Sequence, residues 1–114
     1  MIEELESIIS ELENMKKIQF DFNDYQNAFF KAKPAEYFCL ELNGEAGELA
    51  NLEKKLWKGN KIEKDLLEDE AADVFISLMN YSNARRINLA EAVKGKLRKI
   101  EEKRSALAKL GEIY

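Results

Sequence analysis

Apolar residues recur every three or four positions along most of this chain, a spacing typical of one face of an α-helix. The first segment shows it clearly, with Ile2, Leu5, Ile9 and Leu12 on one stripe. The alternation that marks β-strands is absent, and the 114 residues include only five Gly and one Pro. We therefore predict an all-α fold: an antiparallel helical bundle of four to five helices with short connections.

Start and stop signals divide the chain into five predicted helices. The first covers residues 2–17, and the second begins at residue 22, after a cap at Asp21, and ends at residue 32. Pro34 is expected in the first turn of a third helix, which ends at Gly59.

Capping boxes predict where the last two helices begin. The spacing of a capping box occurs twice, at Asn60 with Glu63 and at Asn88 with Glu91. In such a box the two side chains accept hydrogen bonds from backbone N–H groups that have no partner in the first turn of the helix. Gly111 is expected to end the fifth helix.

Two residue counts exclude several classes of active site. The chain has no His, which excludes a Ser-His-Asp relay, a His-ligated zinc and a Glu-x-x-His di-iron centre. The single cysteine, Cys39, excludes an intramolecular disulfide and a multi-cysteine zinc site. Any metal is therefore expected to be a hard cation with oxygen ligands.

The length and the net charge of the chain limit how many domains it can form and which partners it can bind. A chain of 114 residues predicts one domain over residues 1–114, with residues 1–17 as an accessory helix. No segment approaches the ~20 apolar residues of a membrane span, and the N-terminus is acidic, so we predict no membrane partner and a cytoplasmic location. The net charge of −4 argues against a dedicated nucleic-acid binder.

Acidic residues of the third predicted helix fall on its apolar face. At 100° per residue, Glu45 lies about 20° from Phe38, while Glu41 and Glu48 lie about 40° and 60° to one side. Acidic residues beside an apolar stripe usually reach water. Here, however, like charges one turn apart repel, and no Lys or Arg lies within residues 34–53.

The fourth predicted helix repeats this arrangement. Glu70 and Asp73 share a stripe with Leu66, Ser77 and Asn80. Burying several anions without a cation is costly or forces protonation, and a bound divalent metal resolves the conflict. Because the donors are carboxylate oxygens, Mg²⁺ or Mn²⁺ is the expected ion, and Mg²⁺ commonly recruits substrate phosphates.

The fifth predicted helix carries a basic stripe. Lys96, Lys99 and Lys103 lie on its apolar side, whereas Lys94 and Arg98 are expected to point outward. Lysine stems often cover apolar surface while their ammonium groups reach water. Three on one stripe are also suited to phosphate oxygens or to the acidic residues.

The acidic pairs belong to a longer pattern, Glu45-Ala-Gly-Glu48 followed after 21 residues by Glu70-Ala-Ala-Asp73. Other segments that carry the pattern are Tyr25-Gln26, Leu42 to Leu49, Asp73-Val74-Phe75 and Ala90-Glu91-Ala92. On these residues the chain resembles the MazG-like all-α nucleoside triphosphate pyrophosphohydrolases, over residues 22–104. Their signature is Glu-Glu-x-x-Glu, a variable gap, then Glu-x-x-Asp. Gly44 stands here in place of its first Glu, and Lys96 stands where relatives often have Asn.

The resemblance implies a Mg²⁺-dependent enzyme that cleaves the α–β phosphoanhydride of a nucleoside triphosphate, giving the monophosphate and pyrophosphate, in nucleotide-pool house-cleaning. The metal ligands that it implies are Glu45, Glu48, Glu70 and Asp73. Glu45, or Glu41 one turn earlier, is expected to accept the proton of the attacking water. The three lysines of the basic stripe are expected to hold the departing phosphates.

Residues for the base and sugar are less sharply marked. Tyr25 and Trp57 can stack on a base, although aromatic residues at helical spacing more often belong to a core. Gln26 and Asn80 lie on inward stripes, where an amide can bond a base, a sugar, a buried backbone group or a metal-bound water.

Apolar residues spread around most of the fourth predicted helix, including Val74, Phe75, Ile76 and Leu78. A helix that is apolar on all sides is buried on all sides. We therefore expect Phe75 and Leu78 to pack against a second subunit, in a homodimer or in a homotetramer built as a dimer of dimers.

Two other functions fit the sequence. One is a related hydrolase acting on another nucleotide-linked phosphoanhydride. The other is a non-catalytic helical interaction or regulatory module, because natural folds are reused without their sites.

Overall fold

The computed structural model of the protein describes residues 2–114, which form four helices and no strand. The all-α prediction is confirmed. In chain order the helices are α1 (Glu3–Phe29), α2 (Ala35–Trp57), α3 (Lys64–Ala84) and α4 (Leu89–Lys109). No helix in this part of the chain is long and apolar enough to cross a bilayer.

Helix α1 is continuous, so the predicted break between residues 17 and 22 is wrong. Asp21 resembles a helix cap in sequence, but no Gly or Pro stands nearby to stop the preceding helix. Lys17 Nζ instead lies 2.5 Å from Asp21 Oδ2, an ion pair between residues one turn apart that supports an uninterrupted helix.

The glycine stop signals are confirmed. Gly59 has a φ of +94°, and the N–H groups of Gly59 and Asn60 donate to the carbonyls of Leu56 and Lys55 at 2.9 and 3.0 Å. This pair of hydrogen bonds closes the end of α2, and it requires a residue that tolerates positive φ. Gly111, with a φ of +76°, ends α4 in the same way.

The predicted helix starts are confirmed for α4 but not for α2 and α3. Asn88 caps α4 as expected, because its side chain accepts a hydrogen bond from the N–H of Glu91 at 3.1 Å. The capping box at Asn60 is wrong: α3 begins at Lys64, and Asn60 Nδ2 donates to the Lys55 carbonyl at 3.2 Å. Pro34 occupies the position before the first turn of α2, not a position within it.

The described residues divide into two compact units. The α2–α3 unit covers residues 22–86 and includes the last residues of α1; the α1–α4 unit combines residues 2–21 with 87–114. The single domain over residues 1–114 stays a prediction, as does the homodimer or homotetramer.

Helices α2 and α3 pack antiparallel. Glu36, near the start of α2, lies 3.5 Å from Arg85 at the end of α3, and Ser77 Oγ donates to Glu41 Oε1 further along, also at 3.5 Å. Phe38 and Met79 are buried between these positions, and Ala35 is buried at the first residue of α2. The short α2–α3 connection that the sequence predicts makes this arrangement possible.

The α1–α4 unit buries a lysine that the sequence predicts to be exposed. Lys94 is only 7% exposed, and its ammonium group pairs with Glu13 and with Glu91, the latter at 3.5 Å. Lys16 contacts the same two carboxylates. The outward prediction fails because Lys94 follows the fully buried Ala90 by one turn, on a second face of α4 that the stripe of Lys96 does not include.

Candidate metal centre

Three carboxylates from α2 and α3 converge in the α2–α3 unit. Glu45 comes from α2, and Glu70 and Asp73 from adjacent turns of α3; one oxygen of each lies within 4.8 Å of the others. All three residues are partly buried. The helical period puts each side chain on the face where the two helices meet, so the predicted inward placement of these acids is reproduced.

Two oxygens of this acidic cluster lack any protein partner. Glu45 Oε2 and Glu70 Oε2 are buried and accept no hydrogen bond from the described residues. No Lys or Arg of the α2–α3 unit forms an ion pair with either residue or with Asp73. Since buried polar atoms are nearly always satisfied, these acceptors mark a position for a cation or a proton.

Burial and mutual repulsion change the acidity of the cluster. Desolvation, with the charges of Glu48 and Asp73, raises the pKa of Glu45 to about 7. Desolvation also raises the pKa of Glu70, with hydrogen bonding to Glu48 as the next cause. Near neutral pH the cluster therefore competes for protons, and a divalent cation would displace them.

The donor chemistry fits Mg²⁺ or Mn²⁺. Carboxylate oxygens are the ligands these hard cations prefer, and the cluster offers no nitrogen or sulfur donor. Glu48, the fourth predicted ligand, is exposed, yet its charge acts on Glu45 and Glu70 and it therefore lies beside the cluster. The structure brings together three of the four predicted ligands, with Glu48 at their edge.

Glu41 lies one turn before Glu45 on α2, and it is partly buried. Ser77 donates to one of its oxygens at 3.5 Å. Hydrogen bonding to the Glu41 carboxylate raises the pKa of the Tyr37 phenol. These contacts hold a second carboxylate in a fixed position next to the acidic cluster.

The three predicted phosphate-binding lysines are exposed residues of α4. Lys96, Lys99 and Lys103 belong to the α1–α4 unit, and Lys103 Nζ lies 4.7 Å from the centre of the Tyr114 ring. Their role toward a phosphate stays a prediction.

The α2–α3 unit also contains a cavity whose wall includes Glu41, one turn before Glu45, but none of the three residues of the acidic cluster. It consists of two compartments of about 300 and 520 Å³ that share several walls. We call it the amide–aromatic cavity. The residues lining both compartments are Gln26, Phe30, Lys31, Lys33, Phe38 and Asn80.

Three of the four predicted base and sugar residues meet at this cavity. Gln26 and Asn80 line both compartments, and Tyr25 lines the larger one. Trp57 does not line it: this side chain is 88% exposed near the opposite end of α2. The sequence therefore predicts three of the cavity residues, and the prediction that places Trp57 with them is wrong.

Several cavity residues escape the sequence analysis. Asn23 and Asn27, one turn apart on α1, and Asn83 on α3 line the smaller compartment. Their spacing relative to Gln26 and Asn80 is a detectable signal, because amides at intervals of three and four share a helix face. Without the fold, nothing in the chain indicates that the two faces meet.

No protein-family model, curated protein or solved structure matches this chain. The acidic cluster and the cavity are therefore the features of the chain that bear on its function.

Proposed function

We propose that this protein is a Mg²⁺-dependent nucleoside triphosphate pyrophosphohydrolase, which cleaves the α–β phosphoanhydride to release the monophosphate and pyrophosphate in cytoplasmic nucleotide-pool house-cleaning. The observation that carries the proposal is the cluster of Glu45, Glu70 and Asp73, with two buried carboxylate oxygens lacking a partner. The spacing of the two acidic motifs, which resembles that of the MazG-like enzymes, gives the cluster its reaction class.

Glu45, Glu70 and Asp73 would hold the cation, and Glu48 would complete the set from its exposed position. When bound, Mg²⁺ supplies charge neutralisation for the triphosphate and lowers the pKa of a coordinated water. The carboxylates would fix where the cation binds, because partly buried side chains on two packed helices have little freedom to move.

Glu41 is the residue we assign as proton acceptor, with Glu45 as the alternative. As water adds across the anhydride, a P–O bond forms, the bridging P–O bond breaks, and the water proton passes to the carboxylate. The hydroxyl of Ser77, 3.5 Å away, orients Glu41. Lys96, Lys99 and Lys103 are proposed to neutralise the departing pyrophosphate.

The direct test is a turnover screen of the common ribo- and deoxyribonucleoside triphosphates with Mg²⁺, with pyrophosphate and orthophosphate resolved. We expect pyrophosphate and the monophosphate as the only products. Orthophosphate with the diphosphate as co-product would refute the proposed bond cleavage, and no turnover of any triphosphate would refute the proposed function.

Paired variants of α3 test the residue assignment. Asp73→Asn is expected to reduce kcat by at least a hundredfold, whereas Asp69→Asn, an exposed acid of the same helix, should retain normal activity. A Glu41→Gln variant should lower kcat and leave Mg²⁺ binding unchanged. Equal activity in Asp73→Asn and Asp69→Asn would contradict the assignment.

Exposed apolar side chains on the same helices favour a second candidate, a non-catalytic interaction module. Leu40 is 73% exposed and Trp57 is 88% exposed, and Phe75 is 40% exposed. A homodimer or homotetramer would cover such residues, as would a protein partner.

Calorimetry with Mg²⁺ and a non-hydrolysable triphosphate analogue separates the candidates, because a module of this kind should show no metal-dependent binding. A related hydrolase of another nucleotide-linked anhydride would bind the metal but leave the triphosphates intact.

A further inference from the structure

Asn80 has an environment that packing alone does not explain. It is 6% exposed, and its side chain makes no hydrogen bond to any residue in the described part of the chain. A carboxamide carries two donors and an acceptor, and those of Asn80 keep some access to solvent, unlike the sealed oxygens of Glu45 and Glu70. The amide lines both compartments of the amide–aromatic cavity, so its polar atoms face a space that a ligand can fill.

The other walls of the cavity define what that ligand looks like. The larger compartment is lined by the rings of Phe30, Tyr37 and Phe38, which offer flat apolar surfaces. Gln26 adds a second carboxamide on the wall shared with Asn80. A nucleobase has the matching chemistry, namely an aromatic face that stacks on rings and an edge of donors and acceptors that pairs with amides.

The cavity also lies beside the acidic cluster on both helices. On α2, Phe38 and Glu41 line the cavity, and Glu45 of the cluster follows Glu41 by four residues, about 6 Å along the axis. On α3, Asp73 precedes Asn80 by two turns, about 10.5 Å. One extended ligand can therefore place a flat polar ring in the cavity and anionic groups at the acidic cluster.

We propose that the amide–aromatic cavity binds the base of the nucleotide substrate and that Asn80 recognises the donor–acceptor edge of that base. The proposal rests on the proposed function for the anionic end of the ligand. The volume of the larger compartment, about 520 Å³, is within the range of small-molecule sites. Lys31 and Lys33 also line the cavity. The ammonium group of Lys33 lies 4.8 Å from the centre of the Tyr37 ring, so we do not assign it to recognition of the base.

The first experiment compares substrates with and without a base. Asn80→Leu should raise KM for the preferred nucleoside triphosphate about tenfold to a hundredfold with little change in kcat, the loss expected when a paired amide contact is removed. Hydrolysis of inorganic tripolyphosphate, which has no base, should be the same in Asn80→Leu and wild type. The matched control, Asn51→Leu, replaces an exposed asparagine of α2 that does not line the cavity and should match wild type on both substrates.

A second measurement does not depend on catalysis. Saturation-transfer NMR with adenosine, guanosine, cytidine and uridine, without metal, should detect binding of at least one nucleoside to wild type and to Asp73→Asn, and its loss in Asn80→Leu. If triphosphates are not hydrolysed but nucleosides bind through Asn80, the proposed function fails and the base site stands. If no nucleoside binds wild type, or if Asn80→Leu weakens tripolyphosphate and nucleotide turnover equally, the base site is refuted.

Discussion

Gln19 connects α1 to the start of α4, and its replacement provides a quantitative test of how the α1–α4 unit is held together. The side chain is 7% exposed; its Nε2 donates to the Ile87 carbonyl at 2.7 Å, and its Oε1 accepts from the Leu89 N–H at 3.0 Å. Leu89 is the first residue of α4, where backbone N–H groups have no partner within the helix. Gln19→Leu keeps the bulk of the side chain and removes these two bonds to the start of α4.

Each bond is worth about 1 kcal/mol net, so Gln19→Leu should lower the free energy of unfolding by about 2 kcal/mol. For a chain of this size that corresponds to a fall in Tm of about 8–12 °C, measured by circular dichroism. Asn14→Leu is the matched control: Asn14 is exposed, and within residues 2–114 its side chain bonds only to Glu11 of its own helix. The Tm of this variant should stay within about 3 °C of wild type. A Gln19→Leu variant as stable as Asn14→Leu would show that this connection contributes nothing.

Two further predictions concern stability. In the presence of a chelator, the Tm should fall as pH rises from 4.5 to about 7 and then level off, because the pKa of Glu45 is raised on folding and the folded state holds its proton more tightly. Glu45→Gln should remove this decrease in Tm between pH 4.5 and 7. If the Tm of that variant depends on pH as in wild type, the pKa of Glu45 is not raised in the folded state. Asn88→Ala should cost about 1 kcal/mol in urea denaturation, because it removes the cap of α4. Asn60→Ala should cost less than Asn88→Ala, since Asn60 caps no helix start, and the reverse order would contradict the assigned caps.

The sequence predicts features that depend on local chemistry. Gly59 ends α2 because only a residue tolerant of positive φ fits there, and Asn88 caps α4 because its side chain reaches an N–H three residues away. Asn60 carries the same local signal as Asn88, yet its backbone N–H already closes the end of α2. Two local signals compete for one residue, and the sequence alone does not rank them.

Features that depend on which faces meet are predicted only in part. The inward acids were found because Glu45, Glu70 and Asp73 break the rule that charges lie opposite the apolar stripe. The predicted outward direction of Lys94 is wrong, because the face of α4 that contacts α1 is fixed by tertiary packing and includes few large apolar residues. The sequence gives no signal for the contacts of Gln19 with Ile87 and Leu89, since these partners are backbone groups about 70 residues further along the chain.

The proposed chemistry depends on a divalent cation bound by the acidic cluster, and a Mn²⁺ titration followed by electron paramagnetic resonance measures that binding without catalysis. Wild type and Asp69→Asn should bind Mn²⁺ and release it to excess Mg²⁺, and Asp73→Asn should not bind. With free metal at a hundred times Kd, binding should stabilise wild type by about 2.7 kcal/mol, a rise in Tm of about 10 °C. Mn²⁺ that remains free in the presence of wild type, or that binds Asp73→Asn as tightly, would contradict the account.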